Sequence, residues 1–125
     1  MTQNAPEACV VSIVDDDEAV RDALGNLLES VGFSVETFSS AEQFVDSARS
    51  NKSACLILDI HLPRMNGLEL QRRLSDGEKP VPIIFVTAHT DDSVREKALR
   101  AGAVGFFRKP FNSEALLEAV HSALR

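Results

Sequence analysis

The chain contains the stretch Cys55-Leu-Ile-Leu-Asp-Ile-His-Leu-Pro-Arg-Met-Asn-Gly67, in which a buried strand gives way to an acid. Its first four residues are apolar or nearly so, and such a continuous run is typical of a strand covered on both faces of a parallel sheet. Asp59 follows directly, and ligands of open α/β sheets bind where the strands end. Pro63 and the pair Asn66-Gly67 indicate a loop and the start of a new element.

Apolar strand-like runs alternate with helical patterns on both sides of this stretch. Strands are predicted at Cys9–Val14, Phe33–Phe38, Cys55–Leu58, Pro82–Val86 and Val104–Phe107. Helical patterns follow each strand: up to Val31 before Gly32, from a cap at Ser39 or Ser40, over Gly67–Ser75, from Asp91 or Asp92 to about Ala101, and from Asn112 or Ser113 onward. Short alternating βα units predict a parallel sheet with helices on both faces. We expect an α/β fold of the flavodoxin-like, doubly wound type, with five strands in the order 2-1-3-4-5 and five helices.

Length and composition indicate one globular domain. The 125 residues are enough for one domain with one core. We assign this domain to residues 1–125, with a loose segment at 1–8. A net charge of −6 disfavours direct contact with nucleic acid. No apolar run has membrane-spanning length and no signal peptide is evident, so a cytoplasmic location is expected. Cys9 and Cys55 lie in apolar runs and are predicted to be free thiols.

Chemically active side chains collect where the predicted strands end. Asp15, Asp16 and Asp17 follow the first strand, Asp59 follows the third, and Thr87 and Lys109 follow the fourth and fifth. Clustered carboxylates repel one another unless a cation joins them, and hard oxygen ligands in an incomplete cage suit Mg²⁺. A carboxylate can also attack a phosphoryl group and form an aspartyl phosphate. The combination predicts phosphoryl transfer to Asp59, assisted mainly by positioning and electrostatics.

Each of these residues also has an ordinary structural interpretation. Asp17 is well placed to begin a helix, Thr87 to cap a turn, and Lys109 to be a solvated surface charge. His61 and His89 flank the site without the spacing of a zinc pair, and His121 is expected to face solvent. The functional interpretation therefore depends on several kinds of group reaching one edge of the sheet together.

The combined motifs resemble the receiver domain of two-component response regulators, over essentially Cys9 to Leu124. The matching stretches are Val14-Asp-Asp-Asp17, Leu58-Asp-Ile-His-Leu-Pro-Arg-Met-Asn-Gly67, Val86-Thr-Ala88 and Lys109-Pro-Phe111. The stretch Ala101-Gly-Ala-Val-Gly-Phe-Phe-Arg-Lys-Pro-Phe111 is most similar to the FixJ-type branch of that family.

The resemblance implies a metal-assisted phospho-acceptor site. Asp59 would accept phosphate from a histidine kinase or phosphotransfer protein. Asp16 and Asp59 would bind Mg²⁺ directly, Asp15 would bind it through water, and His61 would contribute its backbone carbonyl. The third acid, Asp17, matches a position that is often acidic without being a ligand.

The resemblance also implies how phosphorylation would be read. Thr87 and Lys109 would bind the phosphoryl group, and Thr87 would act as a switch residue together with Phe106, which matches an aromatic residue that changes rotamer. A cis peptide bond between Lys109 and Pro110 is expected, because Lys109 must turn back over the site while Phe111 returns to the core.

The expected function is a phosphorylation-controlled signalling switch that changes its helix 4, strand 5 and helix 5 surface. The domain is not a conventional enzyme, although it would assist its own phosphoryl transfer and dephosphorylation. It would control transcription through an output domain, with a phosphorylation-dependent homodimer as one expected assembly and no contact with membranes.

Two alternatives remain at this point. One is a stand-alone, single-domain response regulator. The other is a phosphatase similar to haloacid dehalogenases: Asp15-Asp-Asp17 fits their Asp-x-Asp signature, but Ala19 stands where that signature has Thr or Val. A receiver-like module that no longer takes phosphate is disfavoured by the intact acid, hydroxyl and lysine set. A flavin site is disfavoured because the chain has no Trp or Tyr to stack on the ring.

Overall fold

A parallel sheet of five strands forms the centre of the molecule in this computed structural model, which describes residues 10–47, 53–76, 80–88 and 91–124. The strands are β1 (Val10–Val14), β2 (Ser34–Phe38), β3 (Cys55–Leu58), β4 (Ile83–Thr87) and β5 (Gly105–Arg108). The helices are α1 (Glu18–Ser30), α2 (Ala41–Asp46), α3 (Gly67–Ser75), α4 (Asp92–Arg100) and α5 (Ser113–Ala123). The strand order β2-β1-β3-β4-β5 confirms the predicted doubly wound fold.

Helices cover both faces of the sheet, and each face has its own apolar core. Side chains of β1, β3 and β4 point alternately into the two cores, which explains why these strands are apolar throughout. One core takes in residues of α1 and α5, among them Leu28 and Leu116. The other core takes in residues of α2, α3 and α4, among them Phe44 and Leu70.

The helix starts follow the predicted capping chemistry. The Ser40 side chain accepts a hydrogen bond from the Gln43 amide, so the second of the two proposed caps begins α2. Asn112 rather than Ser113 caps α5, and Asp91 rather than Asp92 caps α4. Gly32 and Gly102 follow α1 and α4 with φ values of 99° and 108°, in the left-handed region that favours glycine.

The remaining differences from the predicted elements are small. The observed ends of β2, β4, β5, α1 and α4 differ from the predicted ones by one residue, within the usual ambiguity of element ends. The predicted loose segment at 1–8, Cys9 and His89 lie outside the described residues. No helix among the described residues is long and apolar enough to cross a membrane.

Cys55 is a buried free thiol, as predicted. Its side chain lies in the core beside α1 and α5 and is fully inaccessible to solvent. Burial raises the pKa of Cys55 to about 12, so the reactive thiolate is not formed at neutral pH. This cysteine is therefore part of the packing and takes no part in the chemistry of the sheet edge.

Helix α4 is attached to the rest of the domain by few apolar groups. Ala98 is its only buried residue, Val94 is half-buried and Leu99 is 37% exposed. A polar contact adds to this: buried Gln71 of α3 donates a hydrogen bond of 2.9 Å from Nε2 to the Ala98 carbonyl. The apolar anchoring of α4 is therefore weak, and its firmest attachment lies near its C-terminal end.

Gly67 lets α3 begin against the backbone of the β3 tip. A Cβ atom placed there would lie 2.3 Å from the Asp59 carbonyl oxygen and 2.9 Å from the Ile60 Cα. These are backbone atoms that no side-chain rotation can move aside. Only glycine permits this approach, so Gly67 fixes the distance between α3 and Asp59.

We expect Gly67→Ala to destabilise the domain by about 3 kcal/mol, at the upper end of overpacking costs. The matched control is Gly25→Ala, where the new Cβ would meet Val35 Cγ1 at an ordinary 3.7 Å. Gly25 lies inside α1, so alanine there should stabilise by up to about 1 kcal/mol. Urea unfolding measures both changes. Equal stabilities for the two variants would show that α3 shifts freely away from Asp59.

Candidate functional site

The register of the sheet brings two acids together. Val14 of β1 pairs with Leu58 of β3, so the next residues, Asp15 and Asp59, leave neighbouring strands side by side. Both are buried, with exposures of 2% and 6%. Asp16 joins them from the solvent side, and one carboxylate oxygen from each of the three acids lies within 4.8 Å of the others.

Lys109 supplies a positive charge to this cluster. Its Nζ atom lies 2.9 Å from Asp15 Oδ2 and 3.4 Å from Asp59 Oδ2. Its backbone amide donates a hydrogen bond of 2.9 Å to the Thr87 carbonyl, which ties the segment after β5 to the end of β4. The Lys109–Pro110 peptide bond is cis, as predicted from the sequence.

Burial and charge act against each other at the cluster. Burial, supported by the nearby charge of Asp59, raises the pKa of Asp15 despite opposing hydrogen bonds from Lys109 and the Asp17 amide. Burial alone would lower the pKa of Lys109, but the hydrogen bonds and charges of Asp15 and Asp59 outweigh it and raise that pKa. The cluster thus holds three carboxylates and one ammonium group, which contacts two of them, and the excess negative charge favours a further cation.

Backbone contacts hold the acids in place. The Asp17 amide donates to Asp15 Oδ1 at 2.9 Å, and the His61 amide donates to Asp59 Oδ1 at 3.2 Å. Arg21 of α1 donates from Nη1 to the Asp15 carbonyl at 2.7 Å. Arg21 was not among the site residues predicted from the sequence. The signal was an arginine one helical turn after the acids, where it can reach back to the turn that carries them.

The other predicted site residues lie on β4, on β5 and on the loop after β3. Thr87 ends β4 with 1% exposure, and its carbonyl carries the hydrogen bond to Lys109. His61 is exposed on the loop after Asp59. Phe106 of β5 is half-buried, and its ring centroid lies 6.0 Å from that of Phe85.

Asp17 and His121 take part in the local structure of helices and lie outside the acidic cluster. Asp17 caps α1 by accepting a hydrogen bond from the Ala19 amide, in line with the ordinary interpretation of its position. His121 is exposed on α5, as expected, with its ring centroid 5.3 Å from that of Phe33. The cluster can therefore bind a divalent cation through carboxylate oxygens and offer Asp59 as a nucleophile, with Lys109 beside it.

Comparisons with known proteins agree with this geometry. A family model described as "Response regulator receiver domain" matches residues 11–121. The response regulator protein TodT of Pseudomonas putida is 48% identical over 118 residues, which cover 94% of this chain and 52% of TodT. The transcriptional regulatory protein FixJ of Bradyrhizobium diazoefficiens is 36% identical over 115 residues, covering 92% of this chain and 56% of FixJ. The chain thus spans about half the length of these curated relatives.

Solved structures show the same likeness. The response regulator StyR superposes with a TM-score of 0.84 at 45% identity, covering 92% of this chain and 58% of StyR. The structure described as FixJ-N superposes with a TM-score of 0.83 at 37% identity, covering 98% of this chain and 95% of that one. The fold, the acidic edge of the sheet and the family match together place the chain in the response regulator receiver domain family, the phosphorylation-controlled switches of two-component signalling.

Proposed function

We propose that Asp59 accepts a phosphoryl group from a histidine kinase or a phosphotransfer protein, and that this reaction requires Mg²⁺. The observation that carries the proposal is the meeting of Asp15, Asp16 and Asp59 within 4.8 Å, with the Lys109 ammonium group in contact with two of them. The receiver domain that we propose to do this comprises residues 1–125 and acts in the cytoplasm.

The transfer divides into two balanced displacements. A carboxylate oxygen of Asp59 attacks the phosphorus atom of a phosphohistidine, a P–O bond forms, and the P–N bond breaks with its electron pair returning to the imidazole nitrogen. Lys109 moves from its carboxylate partners to a phosphoryl oxygen and neutralises charge there. The signal ends when water attacks the same phosphorus: a P–O bond to water forms, the P–O bond to Asp59 breaks with its electron pair returning to the carboxylate, and the protons of the water leave with inorganic phosphate or pass to solvent.

The donor set fits Mg²⁺. The cluster offers carboxylate oxygens as ligands. Asp16 is the exposed acid of the three, and its position leaves room for the waters that Mg²⁺ retains. Asp16, Asp59 and the His61 carbonyl would bind the ion directly, and Asp15 would bind it through water. When bound, Mg²⁺ supplies charge neutralisation for the carboxylates and for the incoming phosphoryl oxygens.

Thr87 and Phe106 form the proposed switch. The Thr87 hydroxyl, at the end of β4, donates a hydrogen bond to a phosphoryl oxygen on Asp59 and moves inward. Phe106 lies on the adjacent strand and lines a cavity of about 220 Å³ with Asp91, Asp92, Arg95 and Arg108. Rotation of the Phe106 ring then changes the surface formed by α4, β5 and α5 from one discrete arrangement to another.

The output of the switch is proposed to be control of transcription through an additional domain. TodT and FixJ carry the names of regulatory proteins, and this chain matches about half the length of each. A stand-alone, single-domain regulator is the second candidate.

Phosphorylation at Asp59 is tested by incubation with acetyl phosphate and Mg²⁺, followed by intact-mass measurement. We expect one phosphoryl adduct on the wild-type chain and none on the Asp59→Asn variant. The matched control is Asp17→Asn, because Asp17 caps α1 beside the site and Asn caps a helix equally well. That variant should keep the adduct. A phosphoryl adduct that persists in Asp59→Asn would disprove the assignment.

Asp15→Asn should raise the thermal stability of the domain in the absence of Mg²⁺. A carboxyl whose pKa is raised by folding contributes stability below its ordinary pKa and loses it as the pH rises through the raised value, so ionised Asp15 destabilises the fold at pH 7. Each kcal/mol gained would raise Tm by about 4 °C in a domain of this size.

Mg²⁺ should oppose this difference in thermal stability between the two chains. Binding to the folded state should raise the Tm of the unmodified chain, and the Asp15→Asn substitution should reduce that increase, because it removes a negative charge from the site. Calorimetry with and without Mg²⁺ measures both effects. A lower Tm for Asp15→Asn without Mg²⁺ would mean that the contact with Lys109 outweighs the cost of burying the carboxylate.

Phosphorylation should also promote pairing of two receiver domains through the α4, β5 and α5 surface. Arg95, Lys97 and Arg100 are exposed on α4 and can meet acids of a second copy in a symmetric contact. Sedimentation with and without beryllofluoride should show a monomer that becomes a dimer. A monomer in both conditions, at concentrations well above physiological ones, would leave a different protein as the reader of this surface.

A further inference from the structure

The loop between β3 and α3 is fixed at its two ends, and its residues line a cavity together with Asp16. Near its ends, the amides of Leu62 and Gly67 both donate to the Ile60 carbonyl, at 3.1 and 2.9 Å. Asn66 caps α3 in a reciprocal arrangement with Glu69. Between these ends the chain turns at Arg64, which has a φ of 64° although it is not glycine. A left-handed arginine is disfavoured by itself, so other contacts must hold the turn.

One such contact comes from a different part of the chain. Glu42 Oε2 accepts a hydrogen bond of 3.0 Å from the Met65 amide, 23 residues away in sequence. Glu42 Oε1 lies 3.9 Å from Arg64 Nε, the neighbouring residue of the turn. Hydrogen bonds from its own amide and from the Met65 amide hold the pKa of Glu42 below its ordinary value, so this acceptor is charged at neutral pH.

The base of this contact is rigid. Ala41 and Phe44, on either side of Glu42 in α2, are fully buried in the core beside α3 and α4. Their burial fixes the helix backbone from which the Glu42 side chain extends. Glu42 therefore connects a fixed element to the middle of a turn whose backbone conformation is unfavourable.

We propose that Glu42 is a positioning residue for the phosphorylation site, acting through the loop from Asp59 to Asn66. By holding the Met65 amide, its carboxylate sets the path of the loop that carries the His61 carbonyl. This inference rests on the proposed function, in which that carbonyl binds Mg²⁺. Glu42 does not touch the reacting atoms, so its effect is on the affinity of the site for the ion and on the rate at which the ion-loaded site takes phosphate.

The geometry also explains why a charged side chain performs this role. A carboxylate accepts a stronger hydrogen bond from a backbone amide than a neutral oxygen does, and the same group attracts the Arg64 guanidinium. Glutamine retains an acceptor for the Met65 amide and loses the attraction to Arg64. Alanine loses both contacts. The two variants therefore separate the hydrogen bond from the charge.

Mg²⁺ affinity, measured by isothermal titration calorimetry without any phosphoryl donor, tests the proposal. We expect Glu42→Ala to weaken Mg²⁺ binding by about tenfold, the lower end of the range for groups that orient metal ligands, and Glu42→Gln to stay within about threefold. The matched control is Gln43→Ala. Gln43 also extends from α2 and accepts hydrogen bonds of 2.9 Å, but from Ser39 and not from the loop. That variant should keep the affinity of the unmodified chain.

A second measurement follows the contact itself. The Met65 amide proton should exchange slowly with solvent in the unmodified chain and in Glu42→Gln, and rapidly in Glu42→Ala, as read by NMR. If the alanine variant does not fold, rapid exchange of this proton in the unmodified chain would still overturn the proposal. So would equal Mg²⁺ affinities for Glu42→Ala and Gln43→Ala. An unmodified chain that binds no Mg²⁺ would instead contradict the proposed function from which the inference starts.

Discussion

The close approach of two buried carboxylates, Asp15 and Asp59, is the constraint on which the rest of this structure depends. Parallel pairing of β1 with β3 forces them together, because the residues that precede them are partners in register. Lys109 offsets part of their repulsion, yet the pKa of Asp15 remains raised. The folded state thus contains buried carboxylates that destabilise one edge of the sheet, and such unfavourable charges are typical of functional sites.

Much of the surrounding structure holds this unfavourable arrangement in place. The two strands that carry the acids are buried along their whole length, and Gly67 brings α3 against the backbone of Asp59. Arg21 binds the carbonyl of Asp15 from α1. The tip of the sheet is consequently held by several contacts of the protein itself, which is the arrangement that positioning and electrostatic catalysis need.

The sequence predicts the fold and the meeting of the acids at one edge of the sheet for a physical reason. Apolar strands that alternate with amphipathic helices leave few topologies, and a parallel sheet brings its strand ends to one edge. Asp15, Asp59 and Thr87 could therefore be assigned to one place without coordinates. The contact of Glu42 with the Met65 amide could not be predicted, because a side-chain contact across 23 residues leaves no periodic signal. The same holds for the hydrogen bond from Gln71 to Ala98, since a polar residue on a helix normally indicates its solvent face.

The hydrogen bond from Gln71 to Ala98 attaches α4 to α3 near the C-terminal end of α4. The helix has nine residues and is about 13 Å long at 1.5 Å per residue. Its attachment through Ala98 and Gln71 lies near the C-terminal end, whereas Asp91 and Asp92 at the N-terminal end border the cavity beside Phe106. A tilt of about 10° around the fixed end would displace the free end by about 2 Å over that length. The amplitude of any movement of α4 is thus greatest next to the site and smallest where the helix is bound to α3.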